Sequence, residues 1–184
     1  MSPGTTARAL ALTVQHQKMS EWCWAAVSVS VNRFFRPDSA HTQCELAGAE
    51  LKLPCCDDPP TQAEKCNTSH TLHTVLGTLH LLDGEPLLTT PDFDRVQQEI
   101  DAGHPICLLI RWLDKQGKVT DQGHFIAIHG YRVTPLAKFV SIGDPFFGAS
   151  EIDFTQLSSP KGGYRDGRGV WVASFFLQNE ALRS

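Results

Sequence analysis

Gln17-Lys18-Met19-Ser20-Glu21-Trp22-Cys23-Trp24-Ala25-Ala26 is the stretch whose reading decides the fold. From Ser20 to Phe35 the apolar side chains Trp24, Val27, Val31 and Phe34 or Phe35 recur at helical spacing, Ser20 stands where an N-cap oxygen is wanted, and Pro37 closes the segment. The pattern predicts a largely buried helix with Cys23 in its first turn. Backbone N–H groups at a helix start are unpaired and the summed peptide dipoles are positive there, so a thiolate at Cys23 is stabilised and poised as a nucleophile. A lone cysteine in an apolar helix is more often an inert core residue, so a catalytic reading needs partners elsewhere in the chain.

Those partners can be named. Gln17 lies six positions before Cys23, where its amide and the Cys23 backbone N–H can converge on one oxyanion. Of the eight histidines, His124 is singled out because it opens the strand His124-Phe125-Ile126-Ala127-Ile128-His129-Gly130-Tyr131 directly after Gly123. His70, His73 and His80 read as half-exposed surface residues, and His104 as part of a turn. The following strand ends in Gly143-Asp144-Pro145. With a turn around Thr134 to Ala137, the residue opposite His124 in a hairpin lies near Asp144 to Phe147, allowing for a bulge, so Asp144 can reach the imidazole. A carboxylate on one ring nitrogen fixes the imidazole tautomer while the other nitrogen faces the thiol. Taken alone, Asp144-Pro145 is equally a plain strand terminus. Trp22, Trp112 and Trp171 are large aromatics to which the sequence assigns no role.

The surrounding organisation is α+β. Helices are expected at Thr42–Leu51, Thr71–Leu82 and from Thr90-Pro91 to Gly103. Strands are expected at Pro105–Leu113, Phe125–Val133, Lys138–Gly143 and Val170–Leu177, forming an antiparallel sheet. The glycine-rich stretch Lys161–Gly169 reads as a mobile surface loop matching no phosphate-binding fingerprint. One domain spanning 1–184 is expected, with a helical lobe at 1–103 carrying the nucleophile, a β lobe at 104–184 carrying His124 and Asp144, and the site in the cleft between them.

The 184 residues are 41% hydrophobic and 20% charged, with a formal net charge of -4, which describes a chain able to bury a core. With no run of basic residues, the charge argues against nucleic acid as a partner, and none is expected. Apolar stretches such as Pro105–Ile110 are far shorter than the ~20 residues that cross a bilayer, so no membrane insertion is expected. Ala7–Val14 is too short and polar for a secretory signal, leaving a trimmed precursor or another delivery route.

Six cysteines are present, and Cys44, Cys55, Cys56 and Cys66 are separated by intervals of 11, 1 and 10. These intervals lack the short spacing that places two thiolates on one zinc ion. Adjacent cysteines rarely pair with each other, so Cys55 and Cys56 are expected to reach outward, one to Cys44 and the other to Cys66, with the choice of partner open. Four reduced thiols are the alternative. Two disulfides imply an oxidising place outside the cytosol.

The order Gln17, Cys23-Trp24-Ala25, Gly123-His124 and a later orienting Asp144 resembles the papain-like cysteine proteases. The segment Gln17 to Ala25 is similar to the avirulence-type bacterial subgroup, whose triad also ends in Asp. Gln43-Cys44-Glu45-Leu46-Ala47, Cys55-Cys56 and Cys66-Asn67 are similar to exported bacterial relatives. The resemblance touches residues 15 to 146, densely at Cys23 and thinly between, and the chain is shorter than papain and carries no recognisable inhibitory pro-region. It implies a papain-like fold and a cysteine endopeptidase acting on a protein or peptide substrate with Cys23, His124, Asp144 and Gln17. It implies no cofactor and no metal, and an exported effector or toxin countered by a cognate immunity or inhibitor protein. The same residues would serve a papain-fold amidase or deamidase, such as a peptidoglycan amidase. A disulfide-braced binding module without catalysis is the third class.

Overall fold

The computed structural model describes residues 5–57 and 64–178. In chain order the elements are β1 (Thr6–Ala9), α1 (Cys23–Phe35), α2 (Gln43–Leu51), α3 (Leu72–Thr78), α4 (Phe93–Ala102), β2 (Ile106–Leu113), β3 (Val119–Val133), β4 (Lys138–Asp144), β5 (Gly148–Asp153), α5 (Phe154–Leu157) and β6 (Gly169–Phe176). The sheet is antiparallel in the order β5-β4-β3-β2-β6, and β1 pairs with the far end of β3.

Alternation along the strands divides the core between two faces. Cys107, Ala127, Ala173 and Phe175 pack with Trp24, Val27 and Val31 of α1, Leu46 of α2 and Leu72, Val75 and Leu76 of α3. Ile106, Leu108, Ile110, Ile126, Ile128 and Ile142 pack with Val96 and Ile100 of α4 and Leu157 of α5. The apolar run at the start of β2 is explained by this double coverage, since both faces are buried from Ile106 to Leu108. Burying a leucine- or isoleucine-sized side chain contributes about 1.5–3 kcal/mol, so the two layers fix the strands firmly beneath whatever lies at their ends.

Several local expectations are corrected. Ser20 does not cap α1: the helix starts at Cys23 with Trp22 in the cap position, and no side chain caps it. The helix start is pinned instead by tertiary hydrogen bonds, in which Trp22 Nε1 donates to Cys66 O at 2.7 Å and Trp24 Nε1 to Thr68 O at 3.0 Å. Asn67 completes the clamp by accepting from Glu21 N and donating to Ser20 Oγ, each at 2.9 Å. α3 ends at Thr78 rather than Leu82, since His80 turns left-handed (φ 53) and Leu82 then bridges to Leu177. α4 is capped by Asp92, whose side chain accepts from Arg95 N, so Thr90-Pro91 lies before it. β1 and β5 were not legible: β1 is exposed and short, and β5 lacks an apolar alternation.

The open disulfide choice resolves as Cys44–Cys56 and Cys55–Cys66, which leaves these sulfurs unavailable to zinc, while Cys23 and Cys107 are free. Among the described residues, no helix is long and apolar enough to cross a membrane. Cys66 is 1% exposed and sits beside the carbonyls that hold both tryptophans. Replacing Cys55 and Cys66 by serine should therefore cost about 2–4 kcal/mol, read as a fall in the thermal midpoint. An unchanged midpoint would contradict this role.

Candidate active site

α1 packs against β3, and Cys23, the first helical residue, lies at 9% exposure on the same cleft as Trp112 of β2 and His124 of β3. The sulfur borders a cleft of about 1190 Å³ whose walls include Gln17, Trp24, Trp112, His124 and Phe147. As the first residue of the helix, Cys23 contributes one of the backbone N–H groups that helical geometry leaves without an intrahelical partner.

His124 reaches the cleft through strand register. It pairs with Ile110 of β2, and β3 pairs with β4 so that Ala127 faces Gly143 and Ile128 faces Ile142, with a bulge between Ile128 and Gly130. Continuing that register sets Asp144 opposite Ile126, diagonally across from His124 on the same face. The imidazole Nε2 and Asp144 Oδ1 are 2.9 Å apart, and His124 and Asp144 are 7% and 2% exposed. With Nε2 committed to the carboxylate, the other nitrogen is left for the Cys23 thiol, whose interaction with the ring helps raise the His124 pKa.

Burial by itself would lower the His124 pKa. Hydrogen bonds and charge from Asp144 and Cys23 outweigh it and push the group up to about 9. Burial would raise Asp144, but its hydrogen bonds to His124, Tyr164 and the Phe147 backbone hold it below the usual carboxylate value. Phe146 N and Phe147 N donate to Asp144 Oδ1 at 2.7 and 2.8 Å, and the Tyr164 hydroxyl donates to Oδ2 at 2.5 Å. The buried carboxylate thus accepts four hydrogen bonds, the condition under which a buried charge is tolerated.

Gln17 is at the cleft, and its backbone N–H donates to Pro145 O at 2.8 Å, tying the cysteine-bearing segment to the turn after Asp144. Its side-chain amide is placed differently from a free oxyanion donor. Nε2 donates to Met19 O at 3.0 Å and Ser20 O at 2.6 Å, and Oε1 is buried with no partner among the described residues. The two acceptors fix which end of the amide faces them.

Other expectations are corrected at this site. The Lys161–Gly169 segment is more than a surface loop, because Tyr164 within it is 2% exposed and bonds to Asp144. A single tyrosine among glycines carried no signal of that contact. Trp112 stacks on His124 with ring centroids 6.1 Å apart, while Trp22 and Trp171 are core residues. His70 and His73 are half-exposed as expected, and they also line the cleft wall. Cys107, the other free thiol, is fully buried, and burial pushes its pKa up, the opposite of activation.

No family model matches the chain, and no curated protein matches it. Among solved structures it is similar to digestive procathepsin L 3 of the Tenebrio molitor larval midgut, at 9% sequence identity and a TM-score of 0.55, over 94% of this chain and 69% of that one. The α+β architecture is therefore that of the papain-like cysteine proteases.

The raised His124 pKa has a consequence for stability. Its folded value of about 9 lies above the ordinary 6.5, so its contribution is complete below pH 6.5 and is lost as pH rises through the folded value. Thermal midpoints should fall across that window, and the fall should shrink in His124→Gln. A wild-type profile that stays flat there would show that the ring is not held as described.

Proposed function

We propose that the protein is a papain-type cysteine endopeptidase. The observation that carries this reading is the buried imidazole shared between the Asp144 carboxylate and the Cys23 thiol at the wall of an open cleft. In the proposed reaction Cys23 Sγ passes its proton to the His124 nitrogen facing it and attacks the peptide carbonyl carbon. The Cys23 backbone N–H receives the oxyanion. Gln17 adds a second donor by exchanging the neutral carbonyl of Met19 or Ser20 for the charged oxygen, a stronger acceptor. His124 then protonates the leaving amine, and the acyl group remains as a thioester on Cys23. A water molecule, deprotonated by His124, attacks the thioester, and the acid product leaves with the thiol restored.

Asp144 stays ionised throughout and holds the ring in one tautomer. A four-donor carboxylate in a dry site is expensive to assemble, which supports retained chemistry over an inert binding module.

The biological setting we propose is that of an exported bacterial effector or toxin. The similarity of Gln17–Ala25 to avirulence-type proteases supports it, and the two disulfides are compatible with an extracytoplasmic protein. A protein or peptide chain is the proposed substrate, and a cognate immunity or inhibitor protein the proposed partner. The amidase or deamidase alternative shares every residue named, so substrate tests decide between them.

Incubation with unfolded protein, and in parallel with purified cell-wall fragments, should release new amino termini only from the protein. Cys23→Ala should lower kcat/KM by at least about 10³-fold without moving the thermal midpoint appreciably. Cleavage by Cys23→Ala at the wild-type rate would overturn the assignment, and release from cell wall alone would transfer it to the amidase class.

A further inference from the structure

The glycine-rich segment after α5 delivers one buried hydroxyl to the carboxylate that orients His124. Gly163 N and Tyr164 N both donate to Gly169 O, and Gly169 N returns to Tyr164 O. Gln156 Nε2 donates to Gly163 O at 3.0 Å. A Cβ on Gly163 would lie 1.5 Å from Gln156 O, so only glycine fits. The next two residues, Arg165 and Asp166, are held at φ 46 and 57, a region that non-glycine residues enter only where surrounding structure imposes it. The Trp112 ring stacks on Tyr164 at 6.5 Å as well as on His124 at 6.1 Å. The Arg165 guanidinium lies 4.3 Å from the Phe147 ring centroid and 5.2 Å from that of Tyr164.

Holding Asp144 in place does not require this hydroxyl, since two backbone N–H groups already fix Oδ1. Its distinct effect is on charge. A donor on Oδ2 draws electron density from the carboxylate and weakens the grip of Oδ1 on the imidazole proton. A general acid must release its proton to the leaving amine, so a ring gripped too tightly is a poor one.

We infer that Tyr164 is a positioning residue that sets, through Asp144, how readily His124 surrenders its proton. This rests on the proposed pairing of Cys23 with His124. The titratable and charged groups around the pair are Cys23 from α1, Asp144 from β4, and Tyr164 and Arg165 from the loop. Arg111 of β2 lies farther along the cleft and donates to the Asp121 backbone carbonyl, with Asp121 itself on β3. Tyr164→Phe removes the one donor and keeps the ring that Trp112 and Arg165 contact.

The test is an NMR titration of His124 in isotopically labelled protein, alongside peptide-cleavage kinetics. The chain has two tyrosines, and Tyr131 donates instead to Asp101. In a Tyr131→Phe background, 3-fluorotyrosine therefore makes Tyr164 alone a stronger donor. In Tyr164→Phe the His124 midpoint should rise by about half to one pH unit, kcat should fall roughly three- to tenfold with KM unchanged, and the alkaline limb should move up equally. Fluorotyrosine should shift the midpoint downward. A midpoint unmoved in Tyr164→Phe, or moved in the same direction by both replacements, would overturn the inference. If Tyr164→Phe does not fold, the fluorotyrosine shift decides alone. If both midpoints move as stated but no form cleaves peptides, the inference stands and the peptidase reading falls.

Discussion

The hydrogen bond between His124 Nε2 and Asp144 Oδ1 is the constraint around which the site is organised. A carboxylate taken almost wholly out of water is tolerated only when every strong acceptor position is answered, and the neighbouring architecture answers them. The β3–β4 register with its single bulge supplies the imidazole. The tight turn after Asp144 supplies the Phe146 and Phe147 amides, and the glycine-rich loop supplies the phenol. Local sequence choices that look unrelated, such as Pro145 ending a strand and Gly163 in a loop, serve one ion.

Cys23, the proposed nucleophile, is held by an independent apparatus. Cys23 sits at the tip of a helix that lacks a side-chain cap, and its place depends on two indole N–H groups reaching the carbonyls of Cys66 and Thr68. The Cys55–Cys66 disulfide anchors that receiving segment. The two apparatuses meet through the hydrogen bond from Gln17 N to Pro145 O. In the proposed mechanism, thiol and imidazole must meet within hydrogen-bond reach, so rigidity of both supports bears directly on chemistry.

Much of this was legible in the sequence because it rests on short-range signals. The α1 periodicity, the apolar run after His124 and the strand closed by Asp144 are patterns of a few adjacent residues, and the His124 and Asp144 side chains do meet. His124 does not open its strand, however, because β3 already begins at Val119, where polar residues pairing with the end of β2 carry no apolar signal. The hairpin estimate left room for a bulge, and the register contains one between Ile128 and Gly130. What could not be read depends on long-range closure. The helix starts beyond Ser20 where segment 66–68 pins Glu21, Trp22 and Trp24 from more than forty residues away in sequence, and no local propensity encodes that. Cys55 and Cys56 were chemically equivalent until the chain path chose between Cys44 and Cys66. Tyr164 was hidden because glycines signal turns without saying what the turn delivers. The Gln17 amide was expected to face the cleft, but two carbonyls of its own turn take its donors first.

The central claim of the proposed mechanism is that His124 and Asp144 make the Cys23 sulfur a nucleophile while Cys107 remains inert. Iodoacetamide labelling at mildly acidic pH, read by peptide mass mapping, tests it most directly. The account predicts rapid addition of one carboxamidomethyl group at Cys23, none at Cys107, and marked slowing in His124→Gln. Sluggish labelling of Cys23 in the native protein, or a rate indifferent to loss of the imidazole, would contradict it.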